Sequence, residues 1–428
     1  MQGKNSFQTM SLFKEIWKSL FTTHIHLDSA LSKLPRSAKS ILAQILPIVL
    51  RQPASQSEKM GVGISIGEPW SLDQKDLSEW RPAFLLASRI YEGMTQGLPE
   101  ARPIRGDFPE SMILEWERDW GDKTAQQLLS ILASQPPLSL RSNRLFSAQA
   151  LLDQLRSERI LPVKITLSDL SPVGVRLSGY APILGSELYK KGAFEIQDEG
   201  SQVMALFALW PERYSFLLKK NPGEIQNKQG VPALPSEVKP IIVVDACAGA
   251  GGKSLAMADA LQGKGRVFAY DTSRPKLLAL KRRATRAGLN NIQTVLLVEG
   301  KELEAISKFQ GSAQVVLVDA PCSGWGVLRR NPDLKWRQDL EMLLRMPKIQ
   351  SRLLEQYATL VAPGGRLVYG VCTFRKEETL YPIQEFLKAH PDFSLSEGGY
   401  LGPEPCDGFF MQALIRKPSR RVAESPEY

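Results

Sequence analysis

The sequence predicts an α/β protein whose C-terminal part forms a doubly wound, mostly parallel sheet. The first observation is that short apolar segments alternate with helical patterns from residue 241 onwards. The second is a turn rich in small residues that joins one of these apolar segments to the following helix. Short apolar strands that alternate with helices are typical of a parallel sheet covered by helices on both faces.

The chain has 428 residues, too many for one ordinary core, so two or three domains are expected. Apolar residues at three- and four-residue spacing predict a helical N-terminal region over residues 1–98. A small α+β unit is predicted over residues 108–190, and the α/β domain over residues 191–428. Within that domain, the polar stretch 211–240 contains glycine and proline and is interpreted as an inserted surface loop.

In the small unit, the pattern predicts a helix over Glu110–Ala133, a strand over Leu138–Asn143 and a helix over Ala148–Ser157, followed by short strands. In the α/β domain, helices are predicted at Gly200–Trp210, Lys253–Gln262 and Pro275–Ala287. The predicted strands are Ile241–Asp245, Arg266–Asp271, Thr294–Val298, Val315–Asp319, Arg366–Cys372 and Phe409–Ile415.

The composition narrows the possible functions. The formal net charge is +9, which favours a polyanionic partner such as a nucleic acid, although many soluble proteins are mildly basic. Four cysteines without a CxxC pair and three scattered histidines argue against a disulfide framework and against a metal site. No secretory pattern and no apolar run long enough for a bilayer are present, so a cytoplasmic protein without membrane contact is expected.

The turn after the first predicted strand of the α/β domain is a candidate cofactor site. Its small residues allow a tight turn that brings backbone N–H groups close to a ligand. The alternative is a tight turn without a ligand. Asp271 ends the next strand, where a carboxylate can accept both hydroxyls of a ribose. The alternative for Asp271 is a helix N-cap, a role that Thr272 or Ser273 could fill as easily. Together these features favour an adenosine-type cofactor and leave NAD and S-adenosylmethionine undistinguished. The turn residues are Cys247, Ala248, Gly249, Ala250, Gly251, Gly252 and Lys253.

Two further predicted strands deliver reactive side chains to the same edge. One is followed by Asp319 and Cys322, and the other ends at Cys372. Ligands bind outside the carboxyl ends of the strands in such sheets, so both thiols are expected to face one crevice. A lone intracellular cysteine more often serves as a small buried apolar residue, but two cysteines at strand ends favour a catalytic role.

In these motifs the chain resembles the Sun (Fmu/RsmB-type) family of RNA cytosine-5 methyltransferases. The resemblance covers residues 108–417. The matching segments are Phe194–Gln202, Asp245–Lys253, Asp319–Trp336, Cys372–Glu378 and Asp407–Ala413.

The resemblance implies a class I methyltransferase fold and S-adenosylmethionine as the cofactor. It also implies a cytosine in 16S ribosomal RNA as the favoured substrate, with transfer RNA as the alternative, and a monomer is expected. By this resemblance Cys372 adds to C6 of cytosine and Cys322 assists release of the product. The residues alone leave the choice of nucleophile open. DNA cytosine methyltransferases use the cysteine of a Pro-Cys turn as the nucleophile, and in this chain that cysteine would be Cys322. Asp319 can hydrogen-bond the base, and Lys253 can provide the nearby positive charge that stabilises a thiolate.

Three positions depart from the family pattern. Ala250 replaces the usual proline, Val371 replaces a threonine, and Glu299 replaces an aspartate that touches the adenine side of the cofactor. Glu299 and Asp319 complete the predicted cofactor contacts. The predicted RNA contacts, for which a solvated surface charge is the alternative, are Arg141, Asn143, Arg329, Arg330 and Lys335.

Two functions of other classes are also considered. A non-catalytic S-adenosylmethionine-binding ribosome assembly factor would not need two thiols at one crevice. A nicotinamide oxidoreductase would need a hydride-transfer acid, and no active-site histidine or tyrosine is recognisable in the sequence.

Overall fold

The computed structural model describes residues 107–143, 146–158, 164–178, 183–222, 234–236, 239–337 and 340–418, together with Phe13, Ile16 and Leu46. The helical region predicted for residues 1–98 therefore lies outside the described residues, apart from those three positions. The chain divides into two compact units. The first comprises Met1–Pro136 and Ser323–Leu343, and the second comprises Pro137–Cys322 and Leu344–Tyr428.

The described helices are α1 (Glu110–Trp120), α2 (Asp122–Leu132), α3 (Ala148–Ser157), α4 (Glu187–Lys190), α5 (Glu199–Leu209), α6 (Pro211–Tyr214), α7 (Gly252–Ala260), α8 (Arg274–Arg286), α9 (Glu302–Ser307), α10 (Leu334–Arg337), α11 (Leu340–Ala358) and α12 (Leu380–Ala389). The described strands are β1 (Leu138–Ser142), β2 (Lys164–Leu167), β3 (Gly174–Ser178), β4 (Phe194–Ile196), β5 (Ile242–Asp245), β6 (Arg266–Asp271), β7 (Ile292–Leu296), β8 (Ala313–Asp319), β9 (Val361–Val371), β10 (Phe393–Leu401) and β11 (Phe409–Arg416). Within this part of the chain, no helix combines the length and apolarity needed to cross a membrane.

The first unit contains α1, α2 and an aromatic cluster. The single helix predicted over Glu110–Ala133 is two helices, because Gly121 between them has a φ of +78° that no α-helix accommodates. Trp116 of α1 is buried and packs edge-on against Phe108 and Trp325, with ring centroids 5.5 and 6.0 Å away.

A four-stranded antiparallel sheet in the second unit has the order β2-β3-β1-β4. Its apolar face packs against α3 through buried side chains such as Leu140, Leu151, Val175 and Phe194. The unit boundary at Pro136 divides the predicted subdomain 108–190, since α1 and α2 cluster with Ser323–Leu343. The predicted domain boundaries therefore remain a prediction.

The second sheet has seven strands in the order β10-β11-β9-β8-β5-β6-β7. Strands β7, β6, β5, β8 and β9 run parallel, and β11 pairs antiparallel with both β9 and β10. The predicted mostly parallel α/β sheet is confirmed. The strand order reverses direction at β5, whose neighbours are β6 and β8, so the carboxyl ends of β5 and β8 form the crevice in which such sheets bind ligands.

The prediction of a surface loop over 211–240 is wrong at its beginning. Residues 211–214 form α6, and Tyr214 and Leu217 are buried in the core of the second unit. The backbone of Lys219 then pairs with that of Tyr400 through two hydrogen bonds of 2.8 Å. Burial of these two large apolar side chains explains why this stretch packs against the domain. Residues 223–233 and 237–238 lie outside the described ranges.

Candidate active site

The turn between β5 and α7 is shaped by two glycines with positive φ. Gly249 has a φ of +55° and Gly251 a φ of +90°. A Cβ on Gly251 would lie 2.3 Å from Leu280 Cγ, so the turn can approach α8 only with glycine at this position. A Cβ on Gly249 would meet no atom within 4 Å, which means that open space adjoins the turn there.

Asp271, at the end of β6, holds this turn in place. Its Oδ2 accepts the N–H of Gly249 at 2.8 Å, and its Oδ1 accepts the N–H of Ser273 at 2.7 Å. Asp271 is not the N-cap of α8: that position is Ser273, whose side chain makes no capping hydrogen bond. A carboxylate oxygen can accept more than one hydrogen bond, and Asp271 is partly exposed beside the open space at Gly249. These carboxylate acceptors fit the ribose hydroxyls of an adenosine-type ligand.

Next to the turn lie two acidic groups, Asp245 and Cys247, whose pKa values are raised by desolvation. Asp245 is buried and its Oδ2 accepts a 2.6 Å hydrogen bond from Ser254 Oγ. Burial raises the pKa of Asp245 to about 7, against an ordinary value of 3.8. Burial, followed by the charges of nearby carboxylates including Asp245, raises the pKa of Cys247 far above that of an ordinary thiol. Cys247 therefore remains a protonated, unreactive thiol.

Cys322 and Cys372 meet at the carboxyl edge of β8 and β9. The two strands are parallel neighbours, and Asp319 pairs in register with Gly370. Residues 320–322 continue from β8, and Cys372 directly follows β9. The two Sγ atoms lie 3.2 Å apart, and both side chains are partly exposed. The prediction that both thiols face one crevice agrees with this geometry.

Lys253 and Asp319 form an ion pair beside the thiols. Lys253 Nζ lies 2.5 Å from Asp319 Oδ2, and their side chains are 12% and 25% exposed. Burial by itself lowers the pKa of Lys253, but the Asp319 carboxylate and its hydrogen bond outweigh burial and raise that pKa above its ordinary value. Cys372 also contributes to this rise, so the ammonium and the thiol lie within electrostatic reach of each other.

Gln350 supports both cysteine loops and was missed in the sequence. It is fully buried on α11, and its Nε2 donates to Pro321 O and to Glu378 Oε2, both at 2.9 Å. Pro321 precedes Cys322, and Glu378 belongs to the segment that follows Cys372. A polar residue in an amphipathic helix gives no sequence signal of its role when its partners are 28 and 29 residues away.

The prediction that Arg141 and Asn143 contact RNA is wrong. Arg141 is 3% exposed, and its guanidinium donates to Gln197 Oε1 at 2.9 Å and to Asp259 Oδ2 at 3.3 Å. Asn143 is buried, and its Nδ2 donates to two backbone carbonyls, those of Gly192 and Ala287. The donors of both side chains are therefore used inside the protein, as is usual for buried charged and amide groups.

The other three predicted RNA contacts lie in the first unit. Arg329 is 3% exposed and donates to the carbonyl of Gln135 at 3.3 Å. Lys335 is equally buried, with Nζ 3.8 Å from the ring centroid of Phe108. Burial contradicts RNA contact by these two residues, since a phosphate cannot reach them in this conformation. Arg330 is partly exposed, and its contact with RNA remains a prediction.

The remaining cofactor predictions fall on the same edge of the sheet. Ala248 is buried, whereas Ala250 is exposed at the tip of the turn and Gly252 begins α7. Glu299 is exposed beyond β7, and its contact with a cofactor remains a prediction. Val371, where the resembled family has threonine, is fully buried at the end of β9.

The strand order, the glycine-rich turn after β5 and the acid at the end of β6 define a class I, S-adenosylmethionine-dependent methyltransferase fold. Solved structures agree. NSun6 from Pyrococcus horikoshii with the ligand SFG has a TM-score of 0.58 at 17% identity, covering 73% of this chain and 99% of that one. A methyltransferase homolog protein from the same organism has a TM-score of 0.55 at 20% identity, covering 72% and 99%. At these identities the likeness establishes the fold alone.

The sequence relatives are more specific. Residues 235–413 match the 16S rRNA methyltransferase RsmB/F family, and this catalytic segment belongs to it. The probable ribosomal RNA small subunit methyltransferase B of Bacillus subtilis (strain 168) is 33% identical over 286 residues, 67% of this chain and 57% of the relative. Its namesake in Synechocystis sp. is 29% identical over 300 residues, 69% and 60% respectively. The chain thus spans less than two thirds of the length of these curated relatives.

Proposed function

We propose that the chain is an S-adenosylmethionine-dependent RNA methyltransferase that forms 5-methylcytosine in 16S ribosomal RNA. The observation that carries this proposal is the pair of thiols, Cys322 and Cys372, 3.2 Å apart at the ligand-binding edge of the sheet. A methyltransferase acting on a more nucleophilic atom has no need of two thiols in its site. Membership in the RsmB/F family and the relatives named for small-subunit ribosomal RNA support the choice of substrate.

The cofactor assignment is supported by the turn and by Asp271. The N–H groups at the start of α7 would face the donor, and the Asp271 carboxylate would accept its ribose hydroxyls. S-adenosylmethionine supplies an electrophilic methyl group on its sulfonium. The SFG-bound archaeal structure supports the assignment, since SFG is an analogue of this donor.

Cys372 is the proposed nucleophile. C5 of cytosine is a weak nucleophile, and addition of the Cys372 thiolate to C6 makes C5 enamine-like and able to accept a methyl group. The ammonium of Lys253 supports this role, because it lies within electrostatic reach of Cys372 and a thiolate nucleophile needs a neighbouring positive charge. Asp319 can hydrogen-bond the N3 and 4-amino edge of the base and stabilise the adduct as it forms.

Cys322 is the proposed release residue. After methylation C5 carries both a methyl group and a proton, and removal of that proton returns its electron pair to the ring. The ring then expels the Cys372 sulfur, with the C6–S electron pair leaving on sulfur. Cys322, in van der Waals contact with the Cys372 sulfur, can act as the base for the C5 proton or relay it to solvent.

Single alanine substitutions of the two thiols test this assignment. Cys372→Ala is expected to abolish methyl transfer and to form no adduct, since nothing remains to add to C6. Cys322→Ala is expected to attack and methylate but release slowly, leaving a protein–RNA complex that survives denaturing gel electrophoresis. Cys406→Ala is the matched control, because Cys406 is buried and bonded to the Asp407 carbonyl.

These experiments test the roles of the two cysteines separately from the identity of the RNA substrate. A trapped complex with Cys372→Ala and none with Cys322→Ala would reverse the two roles. Bisulfite sequencing of 16S ribosomal RNA and transfer RNA incubated with the wild-type protein tests the substrate. Methylation of transfer RNA alone would overturn the ribosomal assignment and keep the chemistry.

A further inference from the structure

Two side chains of opposite charge hold neighbouring residues of the turn between β5 and α7. Asp271 Oδ2 accepts the N–H of Gly249 at 2.8 Å, and Arg283 Nη1 donates to the carbonyl of Ala250 at 2.6 Å. Ala250 is exposed and is flanked by Gly249 and Gly251, both in the left-handed region. Glycine is the most permissive backbone residue, so this peptide would sample other conformations without outside contacts.

Arg283 is itself fixed from the other side. Its Nε donates to Glu195 Oε2 at 3.0 Å, and the Glu195 side chain is only 5% exposed. Glu195 lies on β4 and pairs in register with Arg141 of β1, so its carboxylate is fixed by the four-stranded sheet. The guanidinium of Arg283 therefore spans the distance between that sheet and the turn.

The guanidinium group is suited to bonding Glu195 and the Ala250 carbonyl at the same time. Its N–H groups point in several fixed directions, so one side chain can bond a carboxylate and a carbonyl at once. A hydrogen bond from a charged donor is about twice as strong as a neutral one. The Arg283 side chain is 23% exposed: its contact with Glu195 is partly buried, whereas its contact with Ala250 lies at the surface.

We infer that Arg283 is a positioning residue of the methyl-donor site: held by Glu195, it fixes the Ala250 carbonyl and with it the turn. The identity of the ligand rests on the proposed function, whereas the clamp on the turn does not. Arg283 thereby connects the four-stranded sheet to the cofactor turn. It also supplies a restraint at the position where Ala250 lacks the ring of a proline.

Hydrogen exchange in the ligand-free protein tests the clamp directly. Arg283→Ala is expected to speed exchange of amides in a peptide spanning residues 246–255 several-fold. Arg286→Ala is the matched control. Arg286 also pairs with Glu195, and it stacks on Tyr189 at 3.9 Å, but it makes no hydrogen bond to the turn. It should leave exchange in this peptide unchanged. Arg283→Lys, which can serve only one of the two partners at a time, should be intermediate.

Affinity for S-adenosylhomocysteine provides the second readout. Arg283→Ala is expected to raise its calorimetric Kd about tenfold, equivalent to about 1.4 kcal/mol. The KM for the donor should rise similarly while kcat changes little, because the residue touches neither the methyl group nor the base. Arg286→Ala should bind with wild-type affinity, although both variants are expected to lose some thermal stability.

The outcomes discriminate between the clamp and the proposed function. Unchanged exchange in Arg283→Ala, or equal acceleration in both arginine variants, would overturn the clamp and leave only a general structural role. Faster exchange confined to Arg283→Ala, combined with no binding of S-adenosylhomocysteine by the wild-type protein, would support the clamp and contradict the proposed function.

Discussion

At the scale of single residues, the environment decides what each cysteine does. Cys247 is partly exposed, but desolvation and the neighbouring carboxylates raise its pKa and keep it protonated. Cys372 is equally partly exposed, but it lies near the Lys253 ammonium instead of a group of carboxylates. The sequence places both at strand ends, but only their surroundings separate an inert thiol from a candidate nucleophile.

Asp245 provides a pH-dependent test at this scale. Its carboxyl ionises near pH 3.8 when unfolded, whereas burial raises the folded-state pKa to about 7. Between these values the folded state binds more protons, so this residue makes stability fall as pH rises from about 4 to 7. Asp245→Asn removes the titration. The wild type is therefore expected to lose up to about 4 kcal/mol relative to the variant across this interval, at about 1.4 kcal/mol per pKa unit.

The measurement is urea unfolding of both proteins at several pH values between 4 and 8. Other titrating groups are common to both proteins, so they cancel in the difference. Parallel stability curves would show that Asp245 is ionised in the folded protein throughout this range.

At the scale of elements, α11 supports the two loops that carry Cys322 and Cys372. Gln350 donates one hydrogen bond to the loop of Cys322 and another to Glu378, whose backbone carbonyl also accepts from Tyr369 OH at 2.6 Å. The separation of the two sulfur atoms therefore depends on a helix that contributes no reactive group of its own.

Gln350→Met tests this support. Methionine has a similar length but leaves the partly buried Pro321 carbonyl and the fully buried Glu378 carboxylate without this donor. The expected cost is about 1–3 kcal/mol of unfolding free energy, because buried acceptors lose a hydrogen bond. We also expect a lower kcat with little change in affinity for the methyl donor. Arg352→Ala, at an exposed position of the same helix, is the control. Wild-type stability and kcat in the methionine variant would remove Gln350 from the supporting structure.

Element boundaries show which parts of the fold the sequence predicts well. The predicted strand Arg266–Asp271 and helix Ala148–Ser157 have the observed bounds, because their apolar patterns are strong and local. Strand β10 was not predicted, since exposed residues dominate the middle of Phe393–Leu401 and its pairing with β11 comes from the fold. The break at Gly121 was also missed, because an apolar pattern continues across it.

At the scale of the whole molecule, a net charge of +9 can attract RNA only through cationic side chains that are exposed. Four of the five cations and amides predicted to touch RNA are buried. Helix α8 instead carries the exposed Arg274, Lys281 and Arg282 and contains no acidic residue. An exposed cationic helix favours a phosphate backbone through electrostatic attraction and counterion release.

Salt dependence measures this contribution. Log K for single-stranded RNA is expected to fall linearly with log salt, by about 0.7 per neutralised phosphate. Replacing Arg274, Lys281 and Arg282 by glutamine should make the slope shallower by up to about 2. Lys388→Gln, an exposed lysine paired with Glu385, is the control and should leave the slope unchanged. An unchanged slope in the triple variant would place α8 away from the RNA.

The sequence by itself determined the parallel α/β sheet, the glycine-rich turn after β5, and the positions of Asp271, Asp319, Cys322 and Cys372 at the ends of strands. These features are continuous along the chain: an apolar strand, a turn and an adjacent polar side chain occupy about ten residues. The resemblance in the same segments gave the family. Charge and residue type alone could not tell that Arg141 and Asn143 are internal hydrogen-bond donors.

Only the tertiary structure decided which distant groups meet. The two sulfurs come from positions 50 residues apart, Gln350 joins loops that precede and follow it, and Arg283 bonds a glutamate 88 residues earlier. Burial, which shifts the pKa of Asp245 and removes Arg141 from solvent, likewise depends on elements packed from elsewhere in the chain. Hydrogen bonds and charge interactions act over a few ångströms in space. Local sequence therefore specifies the side chains of this site, and the fold specifies their partners.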